Sequence, residues 1–399
     1  MAGVFGVYVH VPFCAARCDY CAFATWTDRS HLMTEYAAAC ATEFVGADLA
    51  PASSVFFGGG TPSLLPAELL VSVLDAAPRC DEAEVTVECN PDTVSASLLD
   101  AYRAAGVNRL SFGVQSMAPH VLRALGRSHD PAAVTGAVAL AGEAGFTSFN
   151  VDLIYGAAGE SLADWEATLA AALALEPAPT HVSAYALTVE PSTPLARDAA
   201  RHPDDDDQAD KYLLAEAVLT AAGYANYEVS NWARPGHECR HNRLYWEQGD
   251  YRGIGCAAHS HEQGRRWWNV RTPDRYIDLV AAGRSVVAGS EVLAQSARHL
   301  ERLQLALRTR AGVPAAALHG IDELVDAGLV TVDSDRAVLT AHGRLLANEV
   351  TARLGLGGTS ATDQAGDGEG IVRTWPANSK PGLVGSASRG RLASIRARQ

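Results

Sequence analysis

Short runs rich in Val, Phe and Ile alternate with longer segments of helical spacing over the first half of the chain. The predicted strands cover residues 4–11, 54–59, 84–89, 109–114, 149–156 and 181–189. The predicted helices cover residues 31–49, 66–77, 95–105, 131–144, 161–175 and 207–222. Such alternation is typical of parallel βα units, and six units predict an α/β fold, an incomplete (β/α)6 barrel rather than the closed eight-unit form. In such a barrel the functional residues lie at the carboxyl ends of the strands.

The rest of the chain divides into three further segments. We assign residues 1–222 to the barrel and interpret residues 223–289, which are richer in aromatic residues and His, as an extension closing one side of it. Residues 290–354 predict helices, a short hairpin and a final helix, and resemble a small winged-helix-like module. Residues 355–399 are rich in Gly, Ser and Ala, a composition that predicts a disordered tail.

Charge and composition limit the class of protein. The formal net charge of -14 at pH 7 argues against nucleic-acid binding, because phosphate contacts need concentrated Lys and Arg. No apolar run approaches the ~20 residues of a membrane span. The opening segment lacks the basic start and the cleavage pattern of a signal peptide, and no amphipathic or polybasic segment supports membrane contact. With eight unevenly placed cysteines in a long chain, we expect reduced thiols and a cytoplasmic protein.

Three of the cysteines form the run HVPFCAARCDYC after the first predicted strand. Cys14, Cys18 and Cys21 have the spacing C-x3-C-x2-C. Thiolates bind zinc, copper or iron-sulfur clusters, but a structural zinc site normally has a fourth Cys or His. No second C-x2-C pair follows at zinc spacing, and the nearby His10 lies in the preceding strand. Three thiolates on a four-iron cluster leave one iron open for a substrate or cofactor, so the run favours such a cluster.

The cysteine run resembles the signature of radical S-adenosylmethionine (SAM) enzymes. Further motifs extend the resemblance from residue 8 to about residue 269, among them FFGGGTPSLL (56–65), GVNRLSFGVQS, NVDLIYG and YALTVEPSTPL. Together they resemble the coproporphyrinogen dehydrogenase-like branch of the superfamily. HNRLYW (241–246) resembles the H-N-x-x-Y-W motif of HemW-type heme chaperones within that branch.

The resemblance implies a [4Fe-4S] cluster on the three cysteines, with SAM chelating the open iron through its amino and carboxylate groups. The residues implied to contact SAM are Tyr8, Gly59, Gly60, Thr61, Glu88, Gln115, Arg127 and Asp152. Glu88 suits the ammonium group, Arg127 the carboxylate and Asp152 a ribose hydroxyl. In this family the reduced cluster donates an electron to the sulfonium, which gives methionine and a 5′-deoxyadenosyl radical. Taken alone, each polar side chain is equally compatible with an ordinary solvated or core role.

Two functions fit the resemblance. The first is a heme chaperone that binds heme and carries it to acceptor hemoproteins, with an electron donor for the cluster. The second is an oxygen-independent coproporphyrinogen III oxidase that decarboxylates propionates. Phe23 stands where the oxidase branch usually has a further Cys, few residues precede the first strand, and HNRLYW is present. These three features favour the chaperone.

His241 is the candidate heme ligand, because a neutral imidazole is a good iron ligand. Tyr245 and Trp246 would then offer aromatic surface to the porphyrin. The alternative is that His241 and Asn242 bond a loop while the aromatic residues fill a core. Weaker candidate ligands are His237, His259 and His261.

Two further features carry open interpretations. Cys256 and Ala257 stand where the chaperones commonly have Pro-Gly, and Cys256 is either an extra heme or metal contact or a small buried residue. The acidic run 204–207 is more typical of a solvated helix start than of a metal site.

Overall fold

The computed structural model describes residues 4–127 and 129–355, so most of the predicted tail lies outside the described residues. One mixed sheet of twelve strands dominates the fold, in the order β12-β11-β10-β9-β1-β2-β3-β4-β5-β6-β8-β7. The strands are β1 Phe5–Val11, β2 Ala52–Gly59, β3 Arg79–Cys89, β4 Arg109–Gln115, β5 Phe149–Tyr155, β6 His181–Ala186, β7 Ala225–Glu228, β8 Asn231–Ala233, β9 Asp250–Ile254, β10 His259–Glu262, β11 Arg265–Asn269 and β12 Val287–Val292.

Strands β1 to β6 are parallel and in chain order, which confirms the predicted α/β fold. The helices up to the end of the sheet are α1 Met33–Gly46, α2 Ala67–Ala76, α3 Ala96–Ala104, α4 Pro119–Ala124, α5 Pro131–Glu143, α6 Leu162–Leu173, α7 Asp205–Ala221, α8 Arg240–Trp246 and α9 Pro273–Ala281. Each predicted strand and helix of the barrel is present within a few residues. Helix α4 was not predicted, because six residues are too few to establish a helical period.

Alternation along the strands separates the hydrophobic core from the barrel lumen. In β1, Val7, Val9 and Val11 are buried in the core that packs against the helices. Because successive side chains of a strand point to opposite faces, Tyr8 and His10 face the lumen. The same alternation recurs in the neighbouring strands, so the core is apolar and the lumen is lined largely by polar side chains.

The acidic run starts a helix, as predicted. The side chain of Asp204 accepts hydrogen bonds from the backbone N–H groups of Asp206 and Asp207, and caps α7. Carboxylates in the first turn also interact favourably with the helix dipole. Ser161 and Asp164 form a reciprocal capping box at the start of α6. These caps fix where each helix begins after the loop that precedes it.

The extension adds strands to both edges of the barrel, whereas the sequence predicted closure of one side. Strands β7 and β8 form an antiparallel pair on the edge of β6. Strand β9 then pairs in parallel with β1, and β10 to β12 continue from it in antiparallel order. Helix α8, which carries HNRLYW, lies between these two sets of strands in the chain and packs against β1 and β2.

The C-terminal segment has a separate hydrophobic core centred on Leu307, Val313 and Val350. Its elements are α10 Gln295–Leu307, β13 Val313–Pro314, α11 Ile321–Asp326, β14 Val330–Asp333, β15 Arg336–Leu339, α12 Ala341–Leu345 and α13 Ala347–Thr351. The three strands form a small sheet of order β13-β15-β14. Within the described ranges, none of the helices is long and apolar enough to cross a membrane.

Candidate cluster and cofactor site

The cysteine loop leaves the carboxyl end of β1 and is held at both sides. Cys14 N–H donates to Trp26 O at 3.1 Å, and Trp26 N–H donates to Pro12 O at 2.7 Å. On the far side, Asp19 N–H donates to Leu125 O at 3.3 Å. The loop is therefore closed on itself at its base and anchored near α4, which fixes where the three thiols lie.

The three thiols face a common site. All three are free and partly exposed. Burial and the neighbouring thiols of Cys18 and Cys14 together raise the pKa of Cys21 to about 11. Thr61 Oγ1 donates to Cys14 Sγ at 3.7 Å, and Arg127 Nη1 donates to Cys18 Sγ at 3.6 Å. A cationic iron centre would displace the thiol protons, and these two hydrogen bonds favour the resulting thiolates.

The arrangement differs from a site for a single metal ion. Over residues 4–127 and 129–355, no group of three His, Cys, Asp or Glu side chains could hold one metal ion. A four-iron cluster holds its thiolates farther apart than a zinc ion does, because each thiolate binds a different iron. Three thiolates without a fourth protein ligand match the donor set of a four-iron cluster with one open iron.

The glycine loop after β2 packs directly on the cysteine loop. Gly60 N–H donates to Val11 O at 2.7 Å, and a Cβ at Gly60 would lie 2.6 Å from Phe13 O. Gly59 has φ +108°, and a Cβ there would lie 2.4 Å from the imidazole of His10. From the sequence, we attributed these glycines to the close approach of a ligand to the backbone. The structure adds that protein atoms already crowd both positions.

Two carboxyl groups occupy the lumen beneath this loop. Gly59 N–H donates to Glu88 Oε2 at 3.1 Å. Removal from water, together with the neighbouring Asp152, raises the pKa of Glu88 to about 8. Asp152 accepts hydrogen bonds from Ser111 Oγ at 2.8 Å and from Asn150 Nδ2 at 2.9 Å. Burial raises the pKa of Asp152, and these hydrogen bonds partly oppose the rise. A cationic ligand would restore the charged forms, so the pair fits a ligand with ammonium and sulfonium groups.

Gln115 and Arg127 complete the same end of the barrel. Gln115 has φ +63°, which is rare for a residue other than glycine, and follows a register irregularity between β4 and β5. Such a backbone costs about 1–3 kcal/mol and is found mainly at functional sites. Arg127 Nη2 donates to Gly113 O at 2.8 Å while its other nitrogen reaches Cys18. Arg127 thus links β4 to the cysteine loop.

His10 is a site residue that was considered from the sequence only as a fourth cluster or metal ligand. Its Nε2 lies 2.9 Å from Ala24 O, and its Nδ1 lies 3.2 Å from Tyr8 Oη. Burial lowers the pKa of His10 to about 4, so the ring is neutral at pH 7. Nε2–H then donates to Ala24 O, and Nδ1 accepts from Tyr8. Both nitrogens are engaged, so in this conformation His10 braces the loop. The signal was its position two residues after Tyr8, on the same face of β1.

His241 lies toward the other end of the barrel. Its side chain is buried and stacks against Phe56, with ring centroids 5.3 Å apart. Nδ1 lies 3.0 Å from Ser54 Oγ, and Nε2 lies 2.8 Å from Tyr245 Oη. Ser54 pairs with Gly6 near the start of β1, far from the cysteine loop at its carboxyl end. The structure therefore brings the SAM candidates and the cysteines together, and keeps the heme candidate apart from the cysteines.

The weaker candidates are dispersed. His237 is partly exposed before α8, His261 Nδ1 lies 2.9 Å from Gly249 O, and His259 stacks on Trp268. Cys256 is completely buried, with Sγ 3.6 Å from Tyr36 Oη. That environment favours the interpretation of Cys256 as a small buried residue.

Known proteins similar to this chain agree on one family. A family model described as the Radical SAM superfamily matches residues 8–172. The heme chaperone HemW of Mycobacterium tuberculosis is 44% identical over 375 residues, which cover 88% of this chain and 94% of that protein. The heme chaperone HemW of Escherichia coli is 34% identical over 365 residues, which cover 86% of this chain and 96% of that protein.

A solved structure shares the fold. Coproporphyrinogen III oxidase HemN of Escherichia coli, a radical SAM enzyme, matches with a TM-score of 0.76 and 24% sequence identity. The match covers 88% of this chain and 89% of that one, so the two chains share their fold over most of their length.

Proposed function

This chain belongs to the HemW family of heme chaperones within the Radical SAM superfamily, and on that premise we propose that it binds heme and delivers it to acceptor hemoproteins in the cytoplasm. The observation that carries the proposal is the 44% identity to a heme chaperone, which extends over 88% of the chain.

We further propose how the chain's own residues serve its cofactors. Cys14, Cys18 and Cys21 hold a [4Fe-4S] cluster, and Thr61 and Arg127 stabilise the thiolates by hydrogen bonds. The pocket for SAM is formed by Tyr8, Gly59, Gly60, Thr61, Glu88, Gln115, Arg127 and Asp152. When bound, the cluster and SAM supply one-electron chemistry, for which an electron donor protein is a partner. The protein's part is to orient the ligand and exclude water.

His241 is the proposed axial ligand of heme. Burial lowers the pKa of His241 to about 3, so its imidazole is neutral and can bind iron without losing a proton. Ligation would replace one of its hydrogen bonds, to Ser54 or to Tyr245. Tyr8 and Phe56 already stack with its ring and would remain as aromatic neighbours of a bound macrocycle.

Anaerobic reconstitution followed by two separate assays tests the proposal. Hemin titration of the purified protein should give a shifted Soret band that His241→Ala loses or alters, whereas His299→Ala, an exposed histidine of α10, should leave it unchanged. The second assay supplies coproporphyrinogen III, SAM and a reductant. Release of carbon dioxide in that assay, without a Soret shift in the first, would replace the chaperone by the oxidase.

A further inference from the structure

One row of residues crosses the wall of the barrel at a single level. Strand register places Tyr8 beside Phe56, Phe56 beside Thr86, and Thr86 beside Arg109. Neighbours in a parallel sheet point to the same face, and Tyr8 faces the lumen, so all four side chains face it. From β1 to β4, the row presents two aromatic rings, then the hydroxyl of Thr86 and then the guanidinium group of Arg109.

Arg109 is a buried cation with an unused donor. Its side chain is only 3% exposed, and Nη1 donates to Ser148 Oγ at 3.1 Å and to His237 O at 3.0 Å. Nη2 is also buried and has no hydrogen-bond partner among the described residues. An unpaired donor on a buried charged group costs more than about 1–3 kcal/mol, so a ligand that accepts from it would be bound favourably.

Thr86 lies beside Arg109 and also has a buried polar group without a hydrogen-bond partner. It is 1% exposed, and its hydroxyl finds no partner in the part of the chain that the structure describes. A guanidinium N–H and a hydroxyl on adjacent strands are two donors that one carboxylate can accept from together.

Two carboxylates of this region, Glu84 and Asp152, already accept hydrogen bonds from other groups. Glu84 Oε1 accepts from His241 N–H at 3.2 Å and from Cys239 Sγ at 3.4 Å. Asp152 accepts from Ser111 and Asn150. Burial lowers the pKa of His181 and of His241, so both rings are neutral. The positive charge of Arg109 is therefore not neutralised by a direct carboxylate contact.

We propose that Arg109 and Thr86 form a carboxylate-binding subsite in the barrel lumen, which holds a propionate group of the bound heme. This inference rests on the proposed heme binding and adds to it a site for the carboxylate. Across the sheet, β1 and β4 are three strand spacings of ~4.8 Å apart. This distance is comparable to the width of one macrocycle with its side chains. The aromatic pair Tyr8 and Phe56, with His241 stacked on both, occupies the other end of that span.

Hemin and hemin dimethyl ester are the probes, because the ester lacks both carboxylates and keeps the iron and the ring. Thr86→Val removes only the unpaired hydroxyl, and Arg109→Gln removes the charge and keeps a donor for His237 O. Thr331→Val and Arg302→Gln, at exposed positions of the C-terminal segment, are the matched controls. Soret titrations give the affinity, and far-UV circular dichroism with thermal unfolding verifies that each variant is folded.

We expect the unaltered protein to bind hemin about tenfold more tightly than the ester, and Arg109→Gln to remove this difference by weakening hemin binding alone. Thr86→Val should weaken hemin binding about threefold to tenfold and leave ester binding unchanged. Equal binding of hemin and ester by the unaltered protein would overturn the subsite and leave heme binding intact. Unaltered hemin binding in a folded Thr86→Val and a folded Arg109→Gln would also overturn it. Failure of the unaltered protein to bind either compound would instead refute the proposed function.

Discussion

Replacement of Glu88 by Gln should stabilise the protein without its cofactors, and increasingly so as the pH rises. Glu88 is partly buried and lies next to Asp152, and its pKa is raised from the ordinary 4.5 to about 8. A carboxyl group with a raised pKa in the folded state favours folding when protonated. Its contribution is therefore present below pH 4.5 and lost as the pH rises through 8.

The magnitude follows from the two pKa values. The difference between 4.5 and about 8 corresponds to roughly 5 kcal/mol as an upper bound at alkaline pH. Glu88 keeps some access to solvent, which screens its charge, so we expect about 2 kcal/mol. Gln is neutral at every pH and can still accept the hydrogen bond from Gly59 N–H, so the substitution removes the charge and preserves the contact.

Urea unfolding of the cofactor-free protein at pH 5, 6.5 and 9 measures the effect. The advantage of Glu88→Gln in free energy of unfolding should increase by about 1 kcal/mol between the lowest and the highest pH. Glu82→Gln, an exposed position on the same strand, should give a constant and small difference. If the difference in free energy of unfolding between Glu88→Gln and the unaltered protein does not change with pH, the electrostatic reasoning is refuted. If the variant is less stable than the unaltered protein at pH 9, the predicted direction of the effect is wrong.

Three further predictions concern other residues. Cys18→Ala should abolish the absorbance of the reconstituted cluster, whereas Cys80→Ala, an exposed free thiol, should retain it; four irons per chain in the first variant would contradict the assignment. Ala257 has φ +55°, so Ala257→Gly should raise the free energy of unfolding by about 0.5–1 kcal/mol in urea titrations. Lys211 is fully buried with Nζ 3.2 Å from Glu160 Oε2, so Lys211→Met should lower that free energy by about 3–5 kcal/mol. Adding Glu160→Gln should restore part of the loss, and strict additivity of the two effects would argue against the ion pair.

The parallel barrel was predictable because its strands are buried on one side by helices. Their runs of Val, Phe and Ile therefore differ sharply from the helical segments between them. The strands β9 to β12 were not, because Gly, His and Arg interrupt their alternation. The pairing of β9 with β1 depends on contacts about 245 residues apart in the chain.

In the site, too, features set by local sequence were predictable and features set by distant contacts were not. The cluster role of the cysteines was predicted from their spacing together with the neighbouring motifs, because these signals are local in the sequence, and it stays a prediction. The bracing role of His10 could not be predicted, because it depends on its hydrogen bonds with Ala24 and Tyr8. The buried position of His241 could not be predicted either, because it depends on which end of the barrel α8 covers. A motif specifies residue types, whereas burial and hydrogen-bond partners arise only when distant segments meet.

The pairing of β1 with β9 has a consequence for synthesis. Residues Phe5 and Asp250 are partners in the sheet, so one edge of the first strand stays uncovered until about 250 residues have been made. At roughly 5–20 residues per second, that interval is about 12–50 s. During it, the backbone groups on that edge of β1 are available for pairing with other chains, a recognised route to aggregation. The loop with the three cysteines emerges from the ribosome early in the same interval, so its thiols are accessible before the barrel is complete.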